Sequence, residues 1–273
     1  MNVFDYLFDQ SMHLDKDLIL GPSEQVSYKT IYESSLKIAS FLHKEAGDQQ
    51  NIILISPNSF FFISAYLGIM KSGNICVPLD PQIEKENFEY ILKKTKSKHS
   101  FIPEKLKSRY SLPGQFIFTE TLLDEIKDAE KSVSEFSTEG DRVAQILFTS
   151  GSTGLPKGVM LTHNNIVANT SSILKYLKLT SGDIIEIVLP FYYCYGLSLL
   201  HTHIRVGGSI VLNNTFAFLG SVFNDLEKYR CTGFSGVPSH FQILLRKSKS
   251  FKNTRFPHLK YVTQAGGKLH SAF

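Results

Sequence analysis

Cysteine is scarce. Cys76, Cys194 and Cys231 are odd in number and far apart, which excludes a disulfide-built scaffold and leaves no Cys-x-x-Cys metal pair. Reduced thiols in a cytoplasmic protein fit that usage. Long apolar runs are lacking too. The most apolar stretch, Phe60 to Met70, contains Ser64 and Gly68 and is too short for a bilayer span of about 20 apolar residues, so it reads as a buried helix and not a transmembrane segment. The start, Met1-Asn2-Val3-Phe4-Asp5, has neither the basic stretch nor the continuous apolar core of a secretory leader. Charge of neither sign dominates, since 29 basic against 25 acidic side chains leave +4. The basic residues are scattered, with no Lys/Arg block carrying interleaved aromatics, so no nucleic-acid partner is indicated. No repeat of fixed period is visible.

What is present is ordinary globular material. At 273 residues, 42% hydrophobic and 20% charged, the chain can bury one large core or two packed subdomains. Short β-branched runs alternate with helical patterns, the mark of an α/β fold. Ile31, Ile38, Phe41 and Leu42 form a helical stripe after Ser27-Tyr28, and Asn51 to Ser56 reads as a strand buried on both faces. Ser59 can cap the next helix and Gly73 can end it. Further strands are expected at 75–78, 99–102, 143–148, 184–188, 209–212 and 259–263, with helices at 84–98, 164–177, 196–206 and 216–229 between them. The polar stretch at 131–141 reads as a surface connection, dividing a first αβ subdomain (1–130) from a second (142–273).

One segment stands above the rest: Ile146-Leu147-Phe148-Thr149-Ser150-Gly151-Ser152-Thr153-Gly154-Leu155-Pro156-Lys157-Gly158-Val159. A strand feeds a loop crowded with hydroxyls and glycines, so backbone N–H and side-chain O–H groups can converge on one anion. Lys157 supplies a positive charge where leaving-group charge would develop. Gly151 to Lys157 has the Gly-to-Lys offset of a Walker A loop, but Pro156 removes an amide donor and Gly158 stands where the metal-binding hydroxyl would be. Val159-Met160-Leu161 continues as strand, and Thr162 is the expected cap of the following helix. A flexible Ser/Gly hairpin is the rival reading, disfavoured by Pro-Lys-Gly lying between two apolar strand runs.

Thr149 to Gly158 resembles, nearly letter for letter, the phosphate loop of the adenylate-forming (AMP-binding) superfamily of acyl-CoA synthetases, nonribosomal-peptide adenylation domains and beetle luciferases. Weaker pieces follow in the same order: Val26-Ser27-Tyr28, Tyr66 to Gly73, Val77-Pro78-Leu79-Asp80, Leu189-Pro190-Phe191, Gly236-Val237-Pro238-Ser239 and Gly266-Gly267-Lys268-Leu269. The resemblance covers essentially the whole chain. It implies the N-terminal domain of an adenylate-forming enzyme, α/β with two doubly wound αβ subdomains, truncated before the barrel and the C-terminal domain. It also implies a two-step ligase, in which a carboxylate attacks the α-phosphate of Mg-ATP to give an acyl-adenylate and pyrophosphate, and the thiol of CoA or an acyl carrier protein then takes the acyl group. By the same resemblance Thr149, Ser150, Gly151, Ser152, Thr153, Gly154 and Lys157 hold the ATP phosphates. Tyr193, Gly196, Val237, Pro238, Gly266 and Gly267 fall at the adenine and acyl pocket. Mg2+ would arrive with ATP, with no protein side chain assigned to it and no catalytic residue assigned.

Leu189 to Leu197 sits where acyl-CoA synthetases show Pro-x-x-His-x-x-Gly, and Tyr193 takes the histidine position. Amino-acid-activating relatives place an Asp in this region to pair with the substrate ammonium. No Asp or Glu occurs from Leu189 to Leu200, which favours a fatty or aryl acid without an α-amine; plain core packing of each tyrosine is an equal reading. His201 and His203 are expected to be structural or on the surface, because two residues apart on a helix they diverge. His163 reads as helix-start packing, and Lys93, Lys94, Lys96 and Lys98 as a solvated face. The family's Tyr-Gly-x-Thr-Glu and Thr-Gly-Asp segments are not found, so the chain is expected to be inactive alone and to show an open sheet edge. A non-catalytic nucleotide-binding or regulatory remnant, an amino-acid-activating domain and an interaction module are the alternatives.

Overall fold

The computed structural model describes residues 1–110, 113–128, 139–149, 154–247 and 253–269. In chain order the strands are β1 (Asp17–Ile19), β2 (Val26–Ser27), β3 (Asn51–Ile55), β4 (Ile75–Leu79), β5 (His99–Phe101), β6 (Phe116–Phe118), β7 (Val143–Thr149), β8 (Lys157–Thr162), β9 (Ile184–Ile187), β10 (Ser209–Leu212), β11 (Gly233–Gly236) and β12 (Tyr261–Gln264). The helices are α1 (Val3–Phe8), α2 (Tyr28–Ala46), α3 (Phe60–Lys71), α4 (Lys85–Thr95), α5 (Glu104–Tyr110), α6 (Thr121–Glu125), α7 (His163–Leu177), α8 (Cys194–Val206), α9 (Leu219–Lys228) and α10 (Pro238–Lys247).

Two six-stranded sheets result, ordered β6-β5-β3-β4-β7-β8 and β12-β11-β9-β10-β1-β2. Both are parallel except where the β7–β8 and β1–β2 pairs run antiparallel. The sheets do not divide where the sequence suggested. β1 and β2 sit beside β10 in the second sheet, whereas β7 and β8 close the first, so the boundary expected at 131–141 does not separate two independent units. Three-residue β1 is too short to carry a period, and its register partner Ile210 lies far along the chain. Of the polar connection, residues 129–138 lie outside the described residues.

The strands are apolar on both faces because both are covered. In β3, Ile52 and Leu54 enter the large core shared by the two sheets, while Ile53 and Ile55 pack with Phe88 and Ile91 of α4. A third cluster lies under α9, with Val222 and Leu226 against Val211 and Phe234. α3 lies within the shared core and is buried from Phe61 to Lys71. Ser59 caps it by accepting from the Phe62 N–H, and Gly73 follows with φ +80°. Lys71 is held there by Asp5 at 2.7 Å. Thr162 caps α7 in a reciprocal box with Asn165, which turns the chain out of β8 and into the helix. β8 is an edge strand of the first sheet whose Val159 and Met160 are exposed, and Val262 is exposed on β12, an edge strand of the second.

Candidate functional site

In α/β sheets ligands collect where parallel strands end and their connections diverge. Here the carboxyl ends of the two sheets meet. Asn58, just after β3, donates to the Leu189 carbonyl at 2.9 Å and accepts from the Phe191 N–H at 2.8 Å, and Asn214 donates to the Asn58 carbonyl at 2.9 Å. These buried bonds fix the loop after β9 against the first sheet, and with it Tyr192 and Tyr193.

A cavity of about 340 Å3 opens at this junction, bounded by Leu79 and Asp80, by Phe148, Thr149, Gly154 and Pro156, and by Tyr192 and Tyr193. Thr149 and Lys157 are register partners at the end of the β7–β8 hairpin. Gly154 has φ +89° with nothing within 4 Å of a would-be Cβ, so backbone conformation and not crowding demands glycine there. Lys157 is exposed and forms no ion pair among the described residues. Ser150, Gly151, Ser152 and Thr153 lie outside the described residues. Tyr193 is 54% exposed, with its ring 4.7 Å from that of Tyr192. It faces this cavity and not the larger one described next. Burial, followed by Asp80, raises the Tyr192 phenol above its ordinary range.

The larger cavity, about 550 Å3, lies between α7 and α8, with Gln145 of β7 and Ala265 after β12 also lining it. Gly196 is needed at the start of α8, because a Cβ there would stand 2.2 Å from the Pro190 carbonyl oxygen. Val237, Pro238, Gly266 and Gly267 do come together: a Cβ on Gly266 would stand 3.1 Å from Val237, and one on Gly267 3.4 Å from Pro238. They form a separate wall beyond β11 and β12. Sequence reasoning missed most of the large cavity. Asn165, Asn169, Ser172 and Tyr176 line it from one face of α7, and Tyr195, Ser198 and His201 from α8. The helical spacing of the α7 residues was the available signal.

His201 is buried, its Nε2 lying 2.8 Å from the Tyr66 hydroxyl, and burial pushes its pKa down to about 3. His203 is buried as well, bonding the Leu199 carbonyl through Nδ1 at 2.9 Å. The Nδ1 of His163 accepts from the Val3 N–H at 3.1 Å, which ties α1 to the start of α7. Lys93, Lys94, Lys96 and Lys98 are exposed, as a solvated face requires. Among the described residues no group of three His, Cys, Asp or Glu could hold a metal ion, and no helix is long and apolar enough to cross a membrane.

Two sheets meeting end to end, with a glycine-bearing hairpin loop at their junction, are the N-terminal domain architecture of adenylate-forming enzymes. The chain belongs to the AMP-binding enzyme family, whose sequence model matches residues 9–273. It is 26% identical over 262 residues to an oxalate–CoA ligase of Arabidopsis thaliana, covering 89% of this chain and 51% of that protein. ATP-bound MatB from Rhodopseudomonas palustris superposes with TM-score 0.84 at 22% identity, covering 98% of this chain and 55% of that one. The inhibitor-bound N-terminal domain of FACL13 from Mycobacterium tuberculosis gives 0.88 at 20% identity, covering 99% and 71%. The chain therefore spans about half the length of the curated relatives it matches.

Proposed function

We propose that this chain supplies the ATP-phosphate loop and part of the acyl pocket of a ligase that joins a carboxylic acid to the thiol of CoA or a carrier protein, by way of an acyl-adenylate and with release of pyrophosphate. The observation that carries the reading is the hairpin mouth, where Thr149 and Lys157 are register partners, Lys157 has no ion-pair partner among the described residues, and Gly154 takes a left-handed backbone. An ammonium without a carboxylate partner is available to a polyphosphate. Thr149, Gly154 and Lys157, with Ser150 to Thr153, would hold the β- and γ-phosphates, and Mg2+ bound with them would neutralise charge on the departing pyrophosphate. The α7/α8 cavity would take the acid. Among the described residues no carboxylate lines it, so an α-ammonium would be buried without a counter-charge, which favours an aliphatic or aryl acid over an amino acid. By the same reading these 273 residues alone catalyse no appreciable exchange, and the complete reaction takes place in a longer protein.

Isothermal titration of this chain with Mg-ATP, beside Lys157→Ala, tests the loop; the variant should bind at least about 10-fold more weakly. An acid panel in ATP–pyrophosphate exchange on the full-length protein tests the reaction. Unchanged ATP affinity in the variant would remove Lys157 from the phosphate site, and exchange with amino acids alone would remove the substrate class.

A further inference from the structure

The floor of the α7/α8 cavity is polar. The Tyr66 hydroxyl donates its only hydrogen to Gln145 Oε1 at 2.7 Å, so His201 Nε2, 2.8 Å from the same oxygen, must be the donor in that second bond. His201 Nδ1 is then left as an acceptor and the Gln145 amide nitrogen as a donor. Neither has a partner among the described residues, although Gln145 is 2% and His201 3% exposed and both line the cavity. Among the described residues no Lys, Arg, Asp or Glu joins them in that lining, and burial keeps His201 uncharged.

We propose that Gln145 and His201, set by Tyr66, select an acid whose far end is a neutral hydrogen-bonding group such as a hydroxyl, phenol or carboxamide. This rests on the ligase reading above and narrows its substrate class. A hydrocarbon end leaves a buried donor and a buried acceptor unmet, whereas a hydroxyl can satisfy both. A second carboxylate would meet no counter-charge. The length is set by α8. Cys194 lines the same cavity next to Tyr193 of the phosphate-loop cavity, and His201 lies roughly 10 Å further along the helix at 1.5 Å per residue. That is the reach of an aromatic ring on a short spacer.

The test is ATP–pyrophosphate exchange by the full-length protein with matched acids: 3-(4-hydroxyphenyl)propanoate against 3-phenylpropanoate, and 8-hydroxyoctanoate against octanoate. The hydroxylated member should be favoured by about 10²-fold in kcat/KM, and His201→Phe or Gln145→Leu should bring the ratio between the two members close to one. A second readout does not depend on the variants folding or on turnover. With histidines 13C-labelled in this chain, the His201 ring signal should shift on adding 3-(4-hydroxyphenyl)propanoate and not on adding 3-phenylpropanoate. Equal or faster use of the hydrocarbon members, or a His201 signal indifferent to the hydroxylated acid, would overturn the proposal and leave the ligase reading standing. Exchange with none of a wide acid panel would overturn the ligase reading itself.

Discussion

Glu186, in the middle of β9, is fully buried beneath α9. Its Oε1 accepts from Asn213 Nδ2 at 3.2 Å, the same amide donates to Asp225 Oδ2 at 2.9 Å, and the Glu186 Oε2 has no partner among the described residues. The Cys231 thiol lies nearby, and among the described residues no cation is bonded to Glu186. Burial first, and Asp225 second, push its pKa up to about 9. A carboxyl raised in the folded state binds its proton more tightly there than in the unfolded chain, so its contribution is fully present below the unfolded value of 4.5 and is lost as pH rises towards 9. The slope is about 1.4 kcal/mol per pH unit at full difference. Glu186→Gln keeps the shape and removes the titration. Wild type and variant should agree to within about 1 kcal/mol at pH 4.5 to 5 and diverge above it, the wild type being weaker by up to about 5 kcal/mol at pH 8. Urea unfolding of both proteins at each pH from 5 to 9 measures this. Parallel profiles across that range would show that Glu186 is ionised in the fold and refute the reasoning.

On the acid side the sign reverses. Burial pushes His163 and His203 down to about 4 and His201 to about 3, so the stability they carry as neutral rings is present above the unfolded value of 6.5 and falls as pH drops below it; in Glu186→Gln, which lacks the opposing titration of that carboxyl, an unfolding midpoint unchanged between pH 7 and pH 5 would contradict this. Gly196→Ala drives a methyl into the Pro190 carbonyl and should cost about 2 kcal/mol or more, read as a lowered unfolding midpoint. Gly154→Ala meets no atom and should cost only about 1 kcal/mol for its left-handed backbone while weakening Mg-ATP binding in titration. Asn58→Ala removes two buried bonds between the sheets and should cost about 2 to 4 kcal/mol, again read by urea unfolding.

Much of the fold could be read because local signals and burial agree. Ile52 to Ile55 is apolar throughout since both faces of the strand are covered, and Ser59, Gly73 and Thr162 act as the caps their positions suggest. The β7–β8 hairpin was legible for the same reason, as the positive φ of Gly154 and the pairing of Thr149 with Lys157 are settled within a few residues. What escaped was set by distance along the chain. β1 and β2, three and two residues long, carry no period of their own, and their membership of the second sheet is decided by partners such as Ile210 and by Tyr28, whose hydroxyl donates to the Gly208 carbonyl at 2.6 Å. The α7/α8 cavity escaped likewise. The aromatic run at 191–195 drew attention as its wall, yet Tyr193 lines the smaller cavity beside Thr149 and Gly154, while Gln145, Tyr66 and His201, from three separate elements, converge in the larger one. Spacing alone assigned His201 a bland role, because two histidines two apart on a helix cannot share a ligand. That argument excludes a metal pair and says nothing of a ring held by a tyrosine from another helix. Where specificity depends on donors and acceptors left over once internal bonds are made, it is visible only after every such bond has been placed.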